Sequence, residues 1–385
     1  MTWECRNGFG EILYHSKAVR PRVAILHSQA ALISNFMKQK KTDYHEKELA
    51  YAMVLEDLGI PYRFIAPAEI GRLHEFEALF LPEATAMSDE EIEAVKAFKG
   101  VVIADYEIAT QNEICVKRSA GALDDFFGVT TKKCNLKKVK SHNVPGVTIQ
   151  QICKGIEPAA GKPLYEADGT PLVIVNGKAV MLNFSPMYNT NREAGFRKLI
   201  AGLLNVKPAV ELETDMAVMQ AFYEHGDTQY ICMLPEPHGA NWKELPFKSM
   251  EAWKKTAKLC LPKAAHLYDV RAGKYLGNGK EFDIELTPAV GKMLAVLPEK
   301  SSGFKVKMPS EAKAGSMVPV DISAGKGHHV WLMTIDNRLE YRKIQSTDGG
   351  WKFTLPLAVS DSGILKVTVR DSVTGEEQTL DLNVK

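Results

Sequence analysis

Up to Pro208, short apolar strands alternate with helix-length segments; beyond it, every patterned stretch repeats with period two. That switch limits the chain to an α/β half followed by an all-β half. Val23-Ala24-Ile25-Leu26 is a continuous apolar run, the mark of a strand covered on both faces. A helix is predicted from about Tyr44 to Leu58. Gly59 stands at its C-cap, and Pro61 bars continuation. Tyr62–Ile65 and Ala78–Leu81 are the next strands. Ser88 and Glu91 then form a capping box for a helix to about Phe98. Val101–Ala104 is the fourth strand. From Ala109 to Pro163 the pattern loosens, and it returns with Leu172–Val175, Asn176-Gly177 and Ala179–Leu182. Asn-Gly favours positive φ at both positions, so this is a tight hairpin. A last helix runs from about Arg192 to Leu204.

In the second half, Met216–Tyr223 and Gln229–Leu234 are predicted to pair across His225-Gly226-Asp227. Ala265–Val270, Lys274–Gly277, Phe282–Leu286 and Met293–Leu297 follow at the short intervals of a small sandwich. From Gly303 onward, Leu365, Val367 and Val369 alternate with polar residues, as do Leu380, Leu382 and Val384; this reads as an immunoglobulin-like sandwich. The expected division is 21–207 for the α/β domain, 208–300 for a small β domain and 301–385 for the last sandwich. Residues 1–20 read as the remnant of a helix or linker whose preceding partner is missing, a cut inside a longer polypeptide.

Lys+Arg number 48 against 47 Asp+Glu, a balance that argues against a nucleic-acid binder. The one basic run, Lys132-Lys133 with Lys137-Lys138 and Lys140, is expected to be a solvated loop. Six cysteines lie scattered without a CxxC pair, so reduced, isolated thiols are expected. No signal peptide and no bilayer-length apolar run is evident, and localisation is left open. Nothing in the pattern calls for a cofactor, a metal, a nucleic acid or a membrane.

The segment Pro21 to Leu204 resembles the trimerisation domain of family 42 glycoside hydrolases, the bacterial β-galactosidases. The likeness rests on Arg22–Ser28, Leu55–Tyr62 and Ala78–Pro82. That domain is similar in fold to class I glutamine amidotransferases, which are flavodoxin-like. Leu261-Pro262-Lys263 through Leu267–Gly277 resembles the family's small C-terminal β domain. The resemblance implies a homo-oligomer, a trimer by family. It also implies that the catalytic glutamates sit on a separate (β/α)8 barrel of roughly 250 residues, which the residues before Pro21 do not supply. This chain is therefore expected not to cleave glycosides by itself, though the parent protein would.

An amidotransferase-like fold would place a nucleophilic Cys in a tight turn after a central strand. The matching turn, Pro82-Glu83-Ala84-Thr85-Ala86, has none, and Cys115 lies in a polar stretch without that setting. His27, Ser28, Glu83, Asp105 and Glu107 fall at strand C-termini, where open α/β sheets bind ligands. They either line a polar cleft or cap helices, satisfy loop amides and meet another subunit; the second reading is preferred. Trp331, Trp351 and Phe353 offer flat faces for sugar stacking or fill a sandwich core. His328-His329 point to opposite faces if both lie in a strand, which disfavours metal binding. Asn183-Phe184-Ser185 matches a glycosylation sequon directly after an apolar strand.

The leading expectation is a non-catalytic oligomerisation and scaffold region of a β-galactosidase-like enzyme. A carbohydrate-binding module and an independent hydrolase with an amidotransferase-like cleft are the alternatives.

Overall fold

The computed structural model describes residues 3–37, 44–132, 136–141, 144–184, 186, 188, 192–236 and 250–385. The chain divides into two compact units, Arg20–Met219 and a second built from Met1–Val19 with Gln220–Lys385. Among the described residues no helix is long and apolar enough to cross a membrane.

Helices α1 (Trp3–Arg6) and α2 (Phe9–Tyr14) and strand β1 (Lys17–Ala18) open the chain and belong to the second unit. The first unit runs β2 (Val23–Leu26), α3 (Gln29–Met37), α4 (Tyr44–Asp57), β3 (Tyr62–Ile65), a 3-10 helix (Pro67–Glu75), β4 (Ala78–Leu81), α5 (Asp89–Ala97) and β5 (Val101–Asp105). Next come α6 (Asp124–Phe127), β6 (Val129–Thr131), β7 (Leu136–Ser141), β8 (Ile149–Cys153), β9 (Ile156–Pro158), β10 (Lys162–Ala167), β11 (Thr170–Asn176), β12 (Ala179–Leu182), α7 (Ala194–Leu204) and β13 (Glu211–Glu213).

The main sheet has the order β10-β11-β12-β5-β4-β2-β3. From β12 to β3 all neighbours are parallel, while β10, β11 and β12 form an antiparallel meander. Every residue of β2 and β4 is buried, yet period two survives beneath that uniform burial. Val23, Ile25 and Phe80 face one core with Tyr51 and Val54 of α4 and Ile200 of α7. Ala24, Leu26, Leu79 and Leu81 face another with Ile92 and Val95 of α5 and Ile70 and Leu73 of the 3-10 helix. Each buried aliphatic side chain is worth about 1.5–3 kcal/mol, so the sheet is held from both sides. Ser88 caps α5 as expected: its Oγ accepts the Glu91 N–H, and the Glu91 carboxylate accepts the Ser88 N–H. A hairpin also forms at Asn176-Gly177, but its turn is Gly177-Lys178: Asn176 ends β11 opposite Ala179, and of the Asn-Gly pair only Gly177 takes a positive φ, 59°.

Two expectations about the looser region change. Residues 136–141 of the basic run form β7, paired with β8, and are not a loop; Lys133 lies outside the described residues. Cys153 is disulfide-bonded, so the thiols are not all reduced. Spacing could not reveal this, because a disulfide needs two Cα atoms about 5.5–6 Å apart in space.

The second unit continues with β14 (Val218–His225), β15 (Thr228–Pro235), a 3-10 helix (Met250–Trp253), β16 (Lys255–Asp269), β17 (Lys274–Leu286) and β18 (Lys292–Leu297). These join β1 in one sheet, in which β1-β14-β15-β18-β16 are successive neighbours and β17 pairs with β16. The expected small sandwich is thus a single sheet among the described residues. Segments read as separate short strands fuse into the long hairpin β16–β17, broken by register shifts at Cys260/Ala265 and Leu267/Tyr268. A bulge bends a strand without ending it, so composition alone suggested breaks.

The N-terminal residues pack onto the second unit. Phe9 and Ile12 are buried with Tyr230, Tyr268 and Val270 of the sheet and with Val330 and Val373 beyond it. Strand β1 adds to the sheet edge, with Lys17 opposite Glu224.

The remaining strands are β19 (Phe304–Lys307), β20 (Glu311–Ala312), β21 (Met317–Ala324), β22 (His329–Ile335), β23 (Arg338–Thr347), β24 (Trp351–Pro356), β25 (Gly363–Asp371) and β26 (Glu377–Val384). They make sheets β19-β21-β24 and β20-β26-β25-β22-β23, whose inner faces share one core. Leu365, Val367 and Val369 point into it, as their alternation required.

Candidate functional site

The C-terminal ends of β2, β4 and β5 carry the polar residues singled out in the sequence. Ser28 follows β2 and is fully buried. Its Oγ accepts the Ala31 N–H at 3.2 Å, and its own N–H donates to Tyr44 Oη at 3.0 Å. That makes it the N-cap of α3, the expected alternative to a ligand-binding role.

Glu83 follows β4 with φ 37° and is buried, as is Asp105 at the end of β5. The Glu83 N–H donates to the Asp105 carboxylate. Two of the five residues therefore meet directly, as supports for a left-handed backbone turn. Glu107, at φ 62°, continues the bend after β5 and is partly exposed; its carbonyl accepts Thr110 Oγ1.

His27 is partly exposed. Its Nδ1 lies 2.7 Å from Glu48 Oε1, and Nδ1 of His45 lies 3.1 Å from Oε2 of the same carboxylate. An ionised carboxylate only accepts, so both rings present Nδ1–H to it. The rings lie 6.1 Å apart and nearly parallel. The Glu48 side chain is 6% exposed, against 43% for His27 and 58% for His45. Burial, and next the Glu48 charge, push the Tyr44 hydroxyl far above its ordinary range. Sequence reasoning missed His45 and Glu48. Their i, i+3 spacing in the first turns of α4 was the available signal, because such residues share a helix face.

Among the described residues of this edge no cysteine is paired with a base. Cys115 donates its thiol to the Ala30 carbonyl at 3.5 Å. Burial pushes the Cys232 thiol up to about 11, the state of an inert core residue.

The aromatic candidates separate. Trp331 is fully buried, with Nε1 donating to Thr347 Oγ1 at 2.9 Å and to the Gly349 carbonyl at 3.0 Å. A sugar cannot reach it, which corrects that part of the stacking expectation; the ring fills the sandwich core between Phe304 and His329. Trp351 and Phe353, two apart on β24, stack at 4.0 Å and stay partly exposed. Phe353 borders a groove of about 570 Å³ with Lys307, Pro309, Pro319 and Lys352.

His328 and His329 diverge to different partners, as neighbouring residues at a strand start do. Asn183 is fully buried and donates to the Cys153 and Pro171 carbonyls, so it offers no glycan acceptor; Ser185 lies outside the described residues. Among the described residues no group of three or more His, Cys, Asp or Glu side chains is placed to hold a metal ion.

No protein-family profile matches the chain. No curated protein matches it either. Among solved structures it is similar to Gan42B, a GH42 β-galactosidase, at 16% identity and TM-score 0.52, over 71% of this chain and 40% of that one. A catalytic mutant of Gan42B from G. stearothermophilus matches at 16% identity and TM-score 0.52, over 73% and 41%. A β-galactosidase from the psychrophilic Marinomonas ef1 aligns at 12% identity and TM-score 0.45, over 74% and 39%. At such identity the likeness is one of fold, and the chain spans about two fifths of the length of these neighbours.

Proposed function

We propose that this chain is a non-catalytic, assembly-supporting region of a β-galactosidase-like glycoside hydrolase. The observation that carries the proposal is the fold shared with Gan42B over 71% of this chain and only 40% of that enzyme. The chemistry of the strand ends agrees with it. A glycosidase sets two carboxyl groups about 5–5.5 Å or 6.5–9.5 Å apart across an open sugar site. Glu83 and Asp105 present no such opening, since both are buried and Asp105 accepts the Glu83 amide.

On this reading the α/β unit is the trimerisation domain, derived from an amidotransferase-like fold. Its five parallel strands and the left-handed residue after β4 support that descent. Glu83 occupies the turn where such an enzyme would keep its cysteine, so glutaminase chemistry is lost. The exposed edge with His27 and His45 is available for subunit contact.

Sedimentation velocity over a concentration series tests assembly, with a reversible trimer expected. A strictly monomeric chain at the highest concentration would sink the assembly role. Nitrophenyl galactoside and glutamine assays test the rest, and enzyme-like turnover of either substrate would refute a non-catalytic chain. Carbohydrate binding is the second reading, favoured only by the partly exposed Trp351–Phe353 stack.

A further inference from the structure

Within the second unit, five turns converge on a polar pocket of about 710 Å³ where the β14–β18 sheet meets the sandwich. At its wall the rings of His225 and His328 lie face to face, with centroids 3.7 Å apart and planes 11° apart. His225 is the last residue of β14 and His328 stands at the approach to β22, so the stack spans the seam between the two β layers.

Each ring is anchored on both sides. His225 Nδ1 lies 2.7 Å from the His15 carbonyl and Nε2 lies 2.6 Å from Asp348 Oδ1. His328 Nδ1 lies 2.7 Å from Tyr230 Oη and Nε2 lies 2.9 Å from Ser346 Oγ. Burial holds the Tyr230 hydroxyl well above its usual range, so it remains a donor to Nδ1. His328 Nε2–H then donates to Ser346, and the ring is neutral with both nitrogens satisfied.

We propose that this seam is a proton-sensitive joint: acidification places charge on the stacked His225–His328 pair, breaks the Tyr230–His328 hydrogen bond and loosens the sheet from the sandwich at the pocket. A proton on His328 Nδ1 removes the acceptor that Tyr230 needs and sets its charge against the stacked His225 ring, both of whose nitrogens face acceptors. Burial first, and then His225, hold His328 down to about 3. The other ionisable groups around the pair are His15, whose Nε2 lies 3.2 Å from Glu11 Oε2, and Asp348 on the β23–β24 turn. Asp227, Glu299, Lys300 and Lys326 line the pocket itself. On the far side His329 pairs with Asp371 at 2.9 Å, with Glu376 nearby.

The sign follows from these directions. An unfolded histidine titrates near 6.5, so the depressed His328 contributes stability that is complete above about 6.5 and is lost as pH falls toward 3. His329 runs the other way. Despite burial, Asp371 raises it, so its contribution is complete below about 6.5 and fades as pH rises through its folded value. The two oppose each other, and the His328 part is isolated by comparing the intact chain with a His328 variant.

The test is hydrogen exchange by mass spectrometry on the whole chain at pH 7.5 and 5.0, corrected for intrinsic rates. His328→Asn keeps an acceptor toward Tyr230 but cannot take up a proton. On acidification, protection in peptides covering 228–235 and 329–335 should fall about 30-fold more in the native chain than in this variant, the effect of one proton taken up on opening between about pH 6.5 and 5.0. Peptides from β25 and β26 should not differ. His225→Gln, which keeps a donor toward Asp348 and removes the stacked ring, should reduce the acid loss and serves if the Asn variant does not fold. Equal acid-dependent loss in native chain and variants, or a loss spread evenly over the sandwich, would overturn the proposal.

Discussion

Asp57 and Arg192 face each other in a buried ion pair, 1% exposed on each side chain, that ties the end of α4 to the start of α7. Arg192 Nε donates to Asp57 Oδ2 at 2.9 Å, and the Tyr188 hydroxyl donates to the same carboxylate. Arg197 completes the group, donating to the Arg192 carbonyl at 3.0 Å and to Tyr188 Oη at 3.2 Å. Residues 135 apart in sequence thus share one buried charge network.

Asp57→Ala should cost about 3–5 kcal/mol, because it strands a buried guanidinium without its counter-charge. Asp57→Asn should cost less, since the amide oxygen still accepts. The urea midpoint of each variant measures this, and a loss under 1 kcal/mol for the alanine would contradict the buried pair.

Gly100→Ala should lower stability by about 1–3 kcal/mol through overpacking. A Cβ there would sit 2.1 Å from the Glu77 carbonyl oxygen, which accepts the Val101 N–H between β4 and β5. Thermal unfolding of this single variant suffices, and an unchanged midpoint would mean that the strands can part freely.

Trp331→Ala should destabilise the sandwich by about 3–5 kcal/mol, as large core truncations do. Trp351→Ala should cost less, since this ring is only partly buried against the core; its Phe353 stack is worth about 0.5–1.5 kcal/mol beyond its area. Calorimetry with galacto-oligosaccharides separates structure from binding. Binding that vanishes with Trp351→Ala while the fold survives would favour the carbohydrate reading.

Asp361 supplies a pH-dependent element of the sandwich. Burial opposes its charge, but the Tyr341 hydroxyl, the Ala358 N–H and Arg338 together hold the carboxyl below its usual range. A depressed carboxylate contributes stability that is present above about pH 3.9 and lost as pH falls through its folded value. Tyr341→Phe removes one donor to this carboxylate, which should cost about 1.5–3 kcal/mol at neutral pH. It should also flatten the acid limb of thermal stability between pH 5 and 2. A limb of unchanged slope would remove Tyr341 from the account.

The legible features were those whose cause lies within a few residues. Val23–Leu26 had to be a covered strand, Ser88 and Glu91 had to cap a helix, and the chain had to reverse at Gly177. The α/β order and the alternation in β25 and β26 followed from the same short-range rules. The candidate site was legible only in part. Strand-end logic located His27, Ser28, Glu83, Asp105 and Glu107, yet it could not say that Ser28 serves as a cap or that Glu48 joins His27 to His45.

Sequence by itself thus determined the strands and helices outside the looser region and the change of class near Pro208, because hydrophobic period and backbone propensity act locally. Tertiary structure alone decided that Phe9 and Ile12 dock into the β unit, that β16 and β17 make one long bulged hairpin, that Trp331 points inward, and that Asp57 meets Arg192. Those outcomes depend on which distant surfaces exclude water together, and no interval of a few residues encodes that choice.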